Sequence, residues 1–195
     1  MKKSFIILFA TIFLSGCGVV NQIAGLQAFS QSEYSFNSIS NIQLANLNLG
    51  SGQALSLSNI AAVASLLSGA QQSIPLGMTI NLDVTNPNPI AAVLNSVDFD
   101  VIINDMQLTS GVINTPMRIE AGQTAVMPIT FGVDVRNLMN AYSQQQVSSA
   151  VSSFLGITNN PANVTVRLRP SLMVGNTAIP SPVAIPVSFN FGGRN

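Results

Sequence analysis

Apolar and polar residues alternate from Met78 to Thr85, with Met78, Ile80, Leu82 and Val84 on one face and Thr79, Asn81, Asp83 and Thr85 on the other. A period of two predicts a half-buried strand over Leu76 to Thr85. The alternation stops at Asn86-Pro87-Asn88-Pro89. Neither proline can donate to a sheet ladder, and each holds the residue before it extended. The asparagine amides can bond to nearby backbone and hold a tight corner. Asn86, Pro87 and Asn88 are therefore expected to form a structural corner from which the next strands are laid down.

The same period returns in Val97, Phe99, Val101 and Ile103, before a polar turn at Asn104-Asp105. Met106 to Thr109 follows, with Ser110-Gly111 expected to end that edge. Ala125, Met127, Ile129, Phe131 and Val133 alternate next, and Pro128 confines that strand to an edge or a bulge. Val164, Val166 and Leu168 form another strand, followed by a turn at Gly175-Asn176. A closing strand carries Val183, Ile185, Val187, Phe189 and Phe191 on one face. Nearer the amino terminus, Tyr34, Phe36, Ile42 and Leu44 also alternate. The parity flips before Leu47, which predicts a bulge near Ala45-Asn46.

Two stretches have a helical period. Ile60 to Leu67 is predicted as a short helix capped by Ser58-Asn59 and closed by Ser68-Gly69. It lies in an uncharged insert, residues 50–73. Leu138, Met139, Tyr142, Val147, Val151 and Phe154 form a second stripe, with Asp134 as cap and Gly156 as stop. The half from Ser143 to Ser153 is rich in Gln and Ser, so an irregular helix is expected there. The sum is a mainly β chain: a two-sheet antiparallel β-sandwich of about seven strands, immunoglobulin- or fibronectin III-like, with one or two helices.

After Asn86-Pro87-Asn88, four landmarks occur in order: the strand through Val97 to Ile103, the Asn104-Asp105 turn, Leu108-Thr109-Ser110-Gly111, and Ile119-Glu120-Ala121-Gly122-Gln123-Thr124. This order resembles the WHy domain, the core of the type 2 late embryogenesis abundant proteins, over roughly Pro75 to Phe191. The resemblance implies a β-sandwich and an association with desiccation and general stress tolerance.

The amino terminus reads as an address. Lys2-Lys3 precedes an apolar run from Phe5 to Leu14, too short for the roughly twenty residues that span a bilayer. Leu14-Ser15-Gly16-Cys17 resembles the lipobox of bacterial lipoproteins, which implies a signal peptide over residues 1–16 and acylation of Cys17. Gly18, where an aspartate would favour retention at the inner membrane, implies the outer membrane, periplasmic face. Residues 17–33 then form a lipidated tether and residues 34–195 one domain. Val19, Ile23 and Leu26 fall on one stripe of a possible helix, so this segment is either a flexible tether or a helix lying on lipid or on the domain. An extended tether would reach about 50 Å at roughly 3.3 Å per residue.

Composition narrows the chemistry. Seven basic and seven acidic residues leave a formal net charge of zero, with 23 Ser, 20 Asn and 12 Gln carrying most of the polarity. No basic field recruits nucleic acid. There is no histidine and only one cysteine, which removes Ser-His-Asp, Cys-His and the usual zinc sites. Asp98 and Asp100 share the strand face opposite Val97, Phe99 and Val101. That spacing is either a solvated face or a fragment of a hard-cation site. Arg167 and Arg169 share another strand face and are expected to pair with surface acids.

No cofactor is implied, and the expected activity is non-enzymatic: a membrane-tethered domain in envelope stress or desiccation protection. Two alternatives remain. An apolar ligand, lipid for instance, could enter between the helical stripes and the sheet, which calls for a pocket of several hundred Å³. An envelope protein could instead pair with an exposed strand edge.

Overall fold

A computed structural model describes residues 16–51, 55–69, 71–174 and 177–193. The leader through Ser15, Gly52 after the first strands and the Gly175-Asn176 turn lie outside the described residues. Among the described residues the chain forms eleven strands and four helices and is mainly β. The strand count exceeds that read from patterning because three- and four-residue paired segments are too short to show a period. The helix count exceeds it because residues 16–30 are helical and the stripe from Leu138 to Phe154 is divided between two helices.

The first sheet is antiparallel with the order β2 (Leu47–Gly50), β1 (Glu33–Leu44), β3 (Pro75–Thr85), β8 (Thr124–Asp134). Ile80 pairs with Ile129 and Leu82 with Met127, so the apolar face of β3 continues on β8. Pro128 sits on β8 opposite Asn81, and β8 is an edge strand, where a missing donor costs least. The parity flip after Leu44 is a turn and not a bulge. Ala45 has φ 50°, and Leu44 pairs with Leu47 across Ala45-Asn46. The register shifts of β1 lie earlier, between Phe36 and Ser38 and between Ser40 and Gln43.

The second sheet has β6 (Met106–Ile113), β5 (Ser96–Ile103) and β9 (Ala162–Val174) side by side. The far side of β9 is shared by β10 (Thr177–Pro180) and β11 (Ile185–Phe191). Asn104 and Asp105 have φ 47° and 64° and close a two-residue hairpin, the conformation that Asn and Asp tolerate best. Strand β6 does not end at Ser110-Gly111 but runs on to Ile113. Gly111 continues it because the Phe99 ring lies across the position. A Cβ on Gly111 would come within 2.6 Å of Phe99 Cζ. Val183 is not in the closing strand; it is 71% exposed in the loop before β11.

Ile80, Leu82, Val84, Val97, Phe99 and Val101 are all buried, as the alternation predicts. The sheets meet through aromatic rings. Phe36 of β1 stacks on Phe189 of β11 at 4.1 Å, and Phe99 of β5 lies 6.5 Å from Phe131 of β8. A third, two-stranded sheet pairs β4 (Ala92–Leu94) with β7 (Met117–Ile119).

Helix α1 (Gly16–Ser30) packs on the domain. Its buried side is Gly25, Ala28 and Phe29, whereas Ile23 of the predicted stripe is exposed. Gly25 permits the contact, since a Cβ there would stand 2.9 Å from Val93 Cβ. Helix α2 (Leu57–Ser68) begins before the expected Ser58-Asn59. Its cap is Ser56, which accepts from the Asn59 N–H.

The long carboxy-terminal stripe splits into α3 (Val135–Ala141) and α4 (Gln144–Phe154), parted by Tyr142 and Ser143 in extended conformation. Asp134 caps α3 as predicted, accepting from Arg136 N–H. The Gln- and Ser-rich half is regular. Ser143 and Gln146 form a reciprocal capping box, which satisfies amide donors at that helix start. Beyond α4, Gly156 turns the chain at φ 63°.

Candidate functional site

Asn86 is completely buried, and its side-chain amide does the work of a turn. The Nδ2 group donates to the carbonyls of Ile90 at 2.8 Å and Ile119 at 3.0 Å, with Glu120 at 3.3 Å. Its Oδ1 accepts from the backbone N–H and the side-chain Nδ2 of Asn88. The Asn86 backbone is paired as well, donating to Gln123 and accepting from Gly122. Burial is tolerable because these polar atoms are matched. Pro87 is exposed and contributes backbone restriction rather than contact. Asn88 Nδ2 also donates to the carbonyl of Ala28 at 3.0 Å. The corner thus joins β3, the loop to β4, the β7–β8 turn and the end of α1.

Asp98 and Asp100 do share a strand face, but they are not equally accessible. Asp98 is half-buried, and Asp100 is buried at 8% exposure. The expectation of two solvated aspartates fails at Asp100 because neighbouring strands cover it. Its Oδ1 accepts from the Ser110 hydroxyl at 2.8 Å, and its Oδ2 meets Arg169 at 2.7 Å. The pairing is diagonal, since register places Arg167 opposite Asp100 and Arg169 opposite Asp98. Both carboxylate oxygens of Asp100 are therefore engaged. Among the described residues no three His, Cys, Asp or Glu side chains gather as a cation site.

At the other end of β3, α3 and α4 roof a small cavity. Its wall is apolar throughout, with Leu44, Met78 and Met106 from the strands and Leu138, Val147 and Phe154 from the helices. The volume is about 30 Å³, far below the several hundred Å³ set as the sign of a preformed ligand pocket. Met106 also borders an open groove of about 320 Å³ lined by Asn104, Gln145, Gln146 and Ser149. Patterning pointed to the helical stripe but not to this groove. The β5–β6 turn and α4 are forty positions apart, and only the fold brings them together.

Titratable groups add one strong local feature. Ser73 Oγ donates to Asp134 at 2.6 Å, and the Ile74 N–H donates at 2.9 Å. These bonds, with Arg136 nearby, hold the Asp134 carboxyl below its ordinary range. Arg136 in turn donates to the carbonyl of Gly69 at 2.7 Å. The pair pins the end of the α2 insert to the start of α3. Cys17 falls in the first turn of α1, and no helix among the described residues is long and apolar enough to cross a membrane.

Taken with the corner and the antiparallel sheets, these features define a small β-rich domain whose corner and helix ends are held by side-chain hydrogen bonds. The chain belongs to the late embryogenesis abundant protein family LEA_2, whose family model matches residues 81–186. Three solved structures are similar but distant. A crystal structure of a protein from Archaeoglobus fulgidus has a TM-score of 0.41 at 9% identity, over 83% of this chain and 99% of that one. A solution structure from Arabidopsis thaliana scores 0.40 at 11% identity, over 84% and 86%. A solution structure of a candidate late embryogenesis abundant (LEA) protein scores 0.39 at 9% identity, over 98% and 87%. No curated protein matches the chain.

Proposed function

We propose that this is a non-enzymatic lipoprotein of the LEA_2 family, acylated at Cys17 and held on the periplasmic face of the outer membrane. Its role is protection of the envelope under desiccation or general stress. The observation that carries this reading is the docking of α1. Phe29, in its last turn, is fully buried, and the Ala28 carbonyl is held by Asn88. Phe29 lies twelve positions after Cys17, about 18 Å along a helix at 1.5 Å per residue. An anchor at Cys17 then holds the domain close to the bilayer and restricts its swing, where an extended tether would allow about 50 Å. Two or three acyl chains make such an anchor stable. The larger sheets, meeting at Phe36–Phe189 and Phe99–Phe131, support a fibronectin III- or immunoglobulin-like sandwich as the rigid body so presented. Its polar side chains are chiefly the neutral amides and hydroxyls of Asn, Gln and Ser, which can replace lost water at envelope components without attracting counterions.

Cys17→Ser tests the anchor. The variant should lose palmitate labelling, remain unprocessed or leave the outer-membrane fraction, and fail to restore desiccation survival to a strain lacking the protein. Wild-type mass and outer-membrane fractionation in the variant would sink the lipoprotein reading.

A further inference from the structure

In the two larger sheets, every free edge but one carries a proline or is very short. Backbone groups along an antiparallel strand face its partner at alternate residues, so one bond fixes which residues point outward. On β8 the Gln123 carbonyl accepts from Asn86, and the Val135 N–H donates to Ile74. Even-numbered residues of β8 therefore turn away from β3, Pro128 among them. On β9 the Asn163 carbonyl accepts from Asn104 and the Pro170 carbonyl from Ser181. Odd-numbered residues of β9 thus face β5, so Pro180 and Pro186, opposite Ser171 and Arg167, also point outward from their strands. A proline at such a position offers an incoming strand no donor, a common way of blocking edge pairing. Strand β2 has only four residues, and its Gly50 N–H is taken by Asn48 Oδ1.

Strand β6 is the exception. Arg167 and Arg169 face β5, so Asp100 and Asp98 opposite them spend their backbone groups on β9. Ser110 and Val112 lie opposite these aspartates on β6, and their N–H and C=O groups therefore point outward. Both residues are exposed, Val112 by 54%. The row is closed at its hairpin end, where the Gln107 N–H donates to the Tyr142 hydroxyl. Beyond that, the Thr109 hydroxyl approaches the Ser110 carbonyl at a long 3.4 Å. Residues 106–117 hold no charged side chain, so the lysine that often protects an edge is missing as well. We propose that β6 pairs antiparallel with β6 of a second copy of this chain, about a two-fold axis at Gly111. Ser110 of each copy then faces Val112 of the other, and each such pair exchanges both of its ladder bonds. Gly111 meets Gly111 at the centre, a non-hydrogen-bonded position where side chains come closest, and the missing Cβ leaves room there. A second copy fits because the row is self-complementary, as an isologous contact requires. Two uncharged strands also meet without like-charge repulsion. The pairing does not depend on acylation of Cys17.

Sedimentation equilibrium of the full-length protein, in nonionic detergent with a reductant, tests the pairing. The mass should rise from monomer to dimer with concentration, and the Ser110 and Val112 amides should exchange more slowly over the same range. A monomer at every concentration overturns the proposal. Val112→Pro repeats on β6 what Pro128 does on β8, removing an outward donor and no bond to β5. In dilute solution the variant should melt with the wild type, and its dimer should be weaker by at least about tenfold, the ratio that 1.4 kcal/mol represents. An undiminished dimer of that folded variant overturns the pairing and assigns association to another surface or to attached lipid. Should Val112→Pro fail to fold, the wild-type amides decide. Exchange at Ser110 and Val112 that stays fast as the dimer forms also overturns the proposal. A monomer whose Ser110 and Val112 amides slow only with added envelope extract gives the edge to a different protein and overturns the second copy. Each result reads the same whether or not Cys17 carries lipid, so failure here leaves the anchor to its own test.

Discussion

The side-chain amide of Asn88 donates to the carbonyl of Ala28, sixty positions earlier, at 3.0 Å. One bond therefore ties the strand-ending corner to the last turn of α1, whose final carbonyls have no partner within the helix. Asn88→Ala should loosen that end. Hydrogen exchange at residues 24–30 should quicken, while exchange in β3 and β8 stays at the wild-type rate. Uniform quickening across both regions would mean that Asn88 supports the whole domain and not the helix dock.

Asn86 is the more expensive residue to lose. Its removal strips the Ile119 carbonyl of a donor in a buried site and the Ile90 carbonyl in a partly buried one. Asn86→Ala should cost about 1–3 kcal/mol, the desolvation penalty of buried groups left unsatisfied. Pro87→Ala, at an exposed position, should cost roughly 0.4–1 kcal/mol through a freer unfolded chain. Urea unfolding of the two variants checks the order; a Pro87 effect larger than that of Asn86 would reverse the assignment.

Phe99 and Gly111 should behave as one unit. Phe99→Ala removes a large buried side chain and should cost about 3–5 kcal/mol. Gly111→Ala pushes a methyl group against the same ring and should cost about 1–3 kcal/mol by overpacking. In the double variant the Gly111 penalty should nearly vanish, because the ring it strikes is gone. Additive losses in a double-mutant cycle would show that the two positions are independent.

Asp134 makes stability depend on pH in acid. Its folded pKa is lowered, chiefly by the Ser73 hydroxyl and then by the Ile74 amide. Such a carboxylate stabilises the fold fully above its unfolded pKa, near 3.9. That contribution is lost as pH falls through the lower, folded pKa, when both states become protonated. Asp134→Asn should therefore melt below wild type at pH 7, and the gap should narrow from about pH 4 downward. A gap independent of pH would assign the loss to shape rather than charge.

Arg169→Ala leaves the buried Asp100 carboxylate with Ser110 as its remaining bond partner. The expected cost is about 1.5–3 kcal/mol, the range for hydrogen bonds to charged groups. The Arg118–Glu120 pair is exposed on both sides, so Arg118→Ala should change stability by less than about 1 kcal/mol. Chemical denaturation of the two variants side by side measures the contrast, and equal losses would mean that burial of Asp100 does not strengthen its pair.

Alternation alone placed Ile80, Leu82, Val84, Val97, Phe99 and Val101 in the core. A strand side chain must point to one face or the other, and that choice is written locally. The Asn104-Asp105 hairpin and the Asp134 cap were legible for the same reason, since each depends on residues within a few positions. Tertiary structure decided what depends on remote neighbours. Asp100 reads as a surface acid until β6 and β9 close over it with Ser110 and Arg169. Gly111 reads as a strand end until the Phe99 ring shows why a glycine continues the strand. Of the stripe Val19, Ile23 and Leu26, Ile23 is exposed and Leu26 is half-buried against the core, while Gly25, Ala28 and Phe29 make the buried contact. Close approach to Val93 favours the smallest side chain over the most apolar one, and no periodicity encodes that distance.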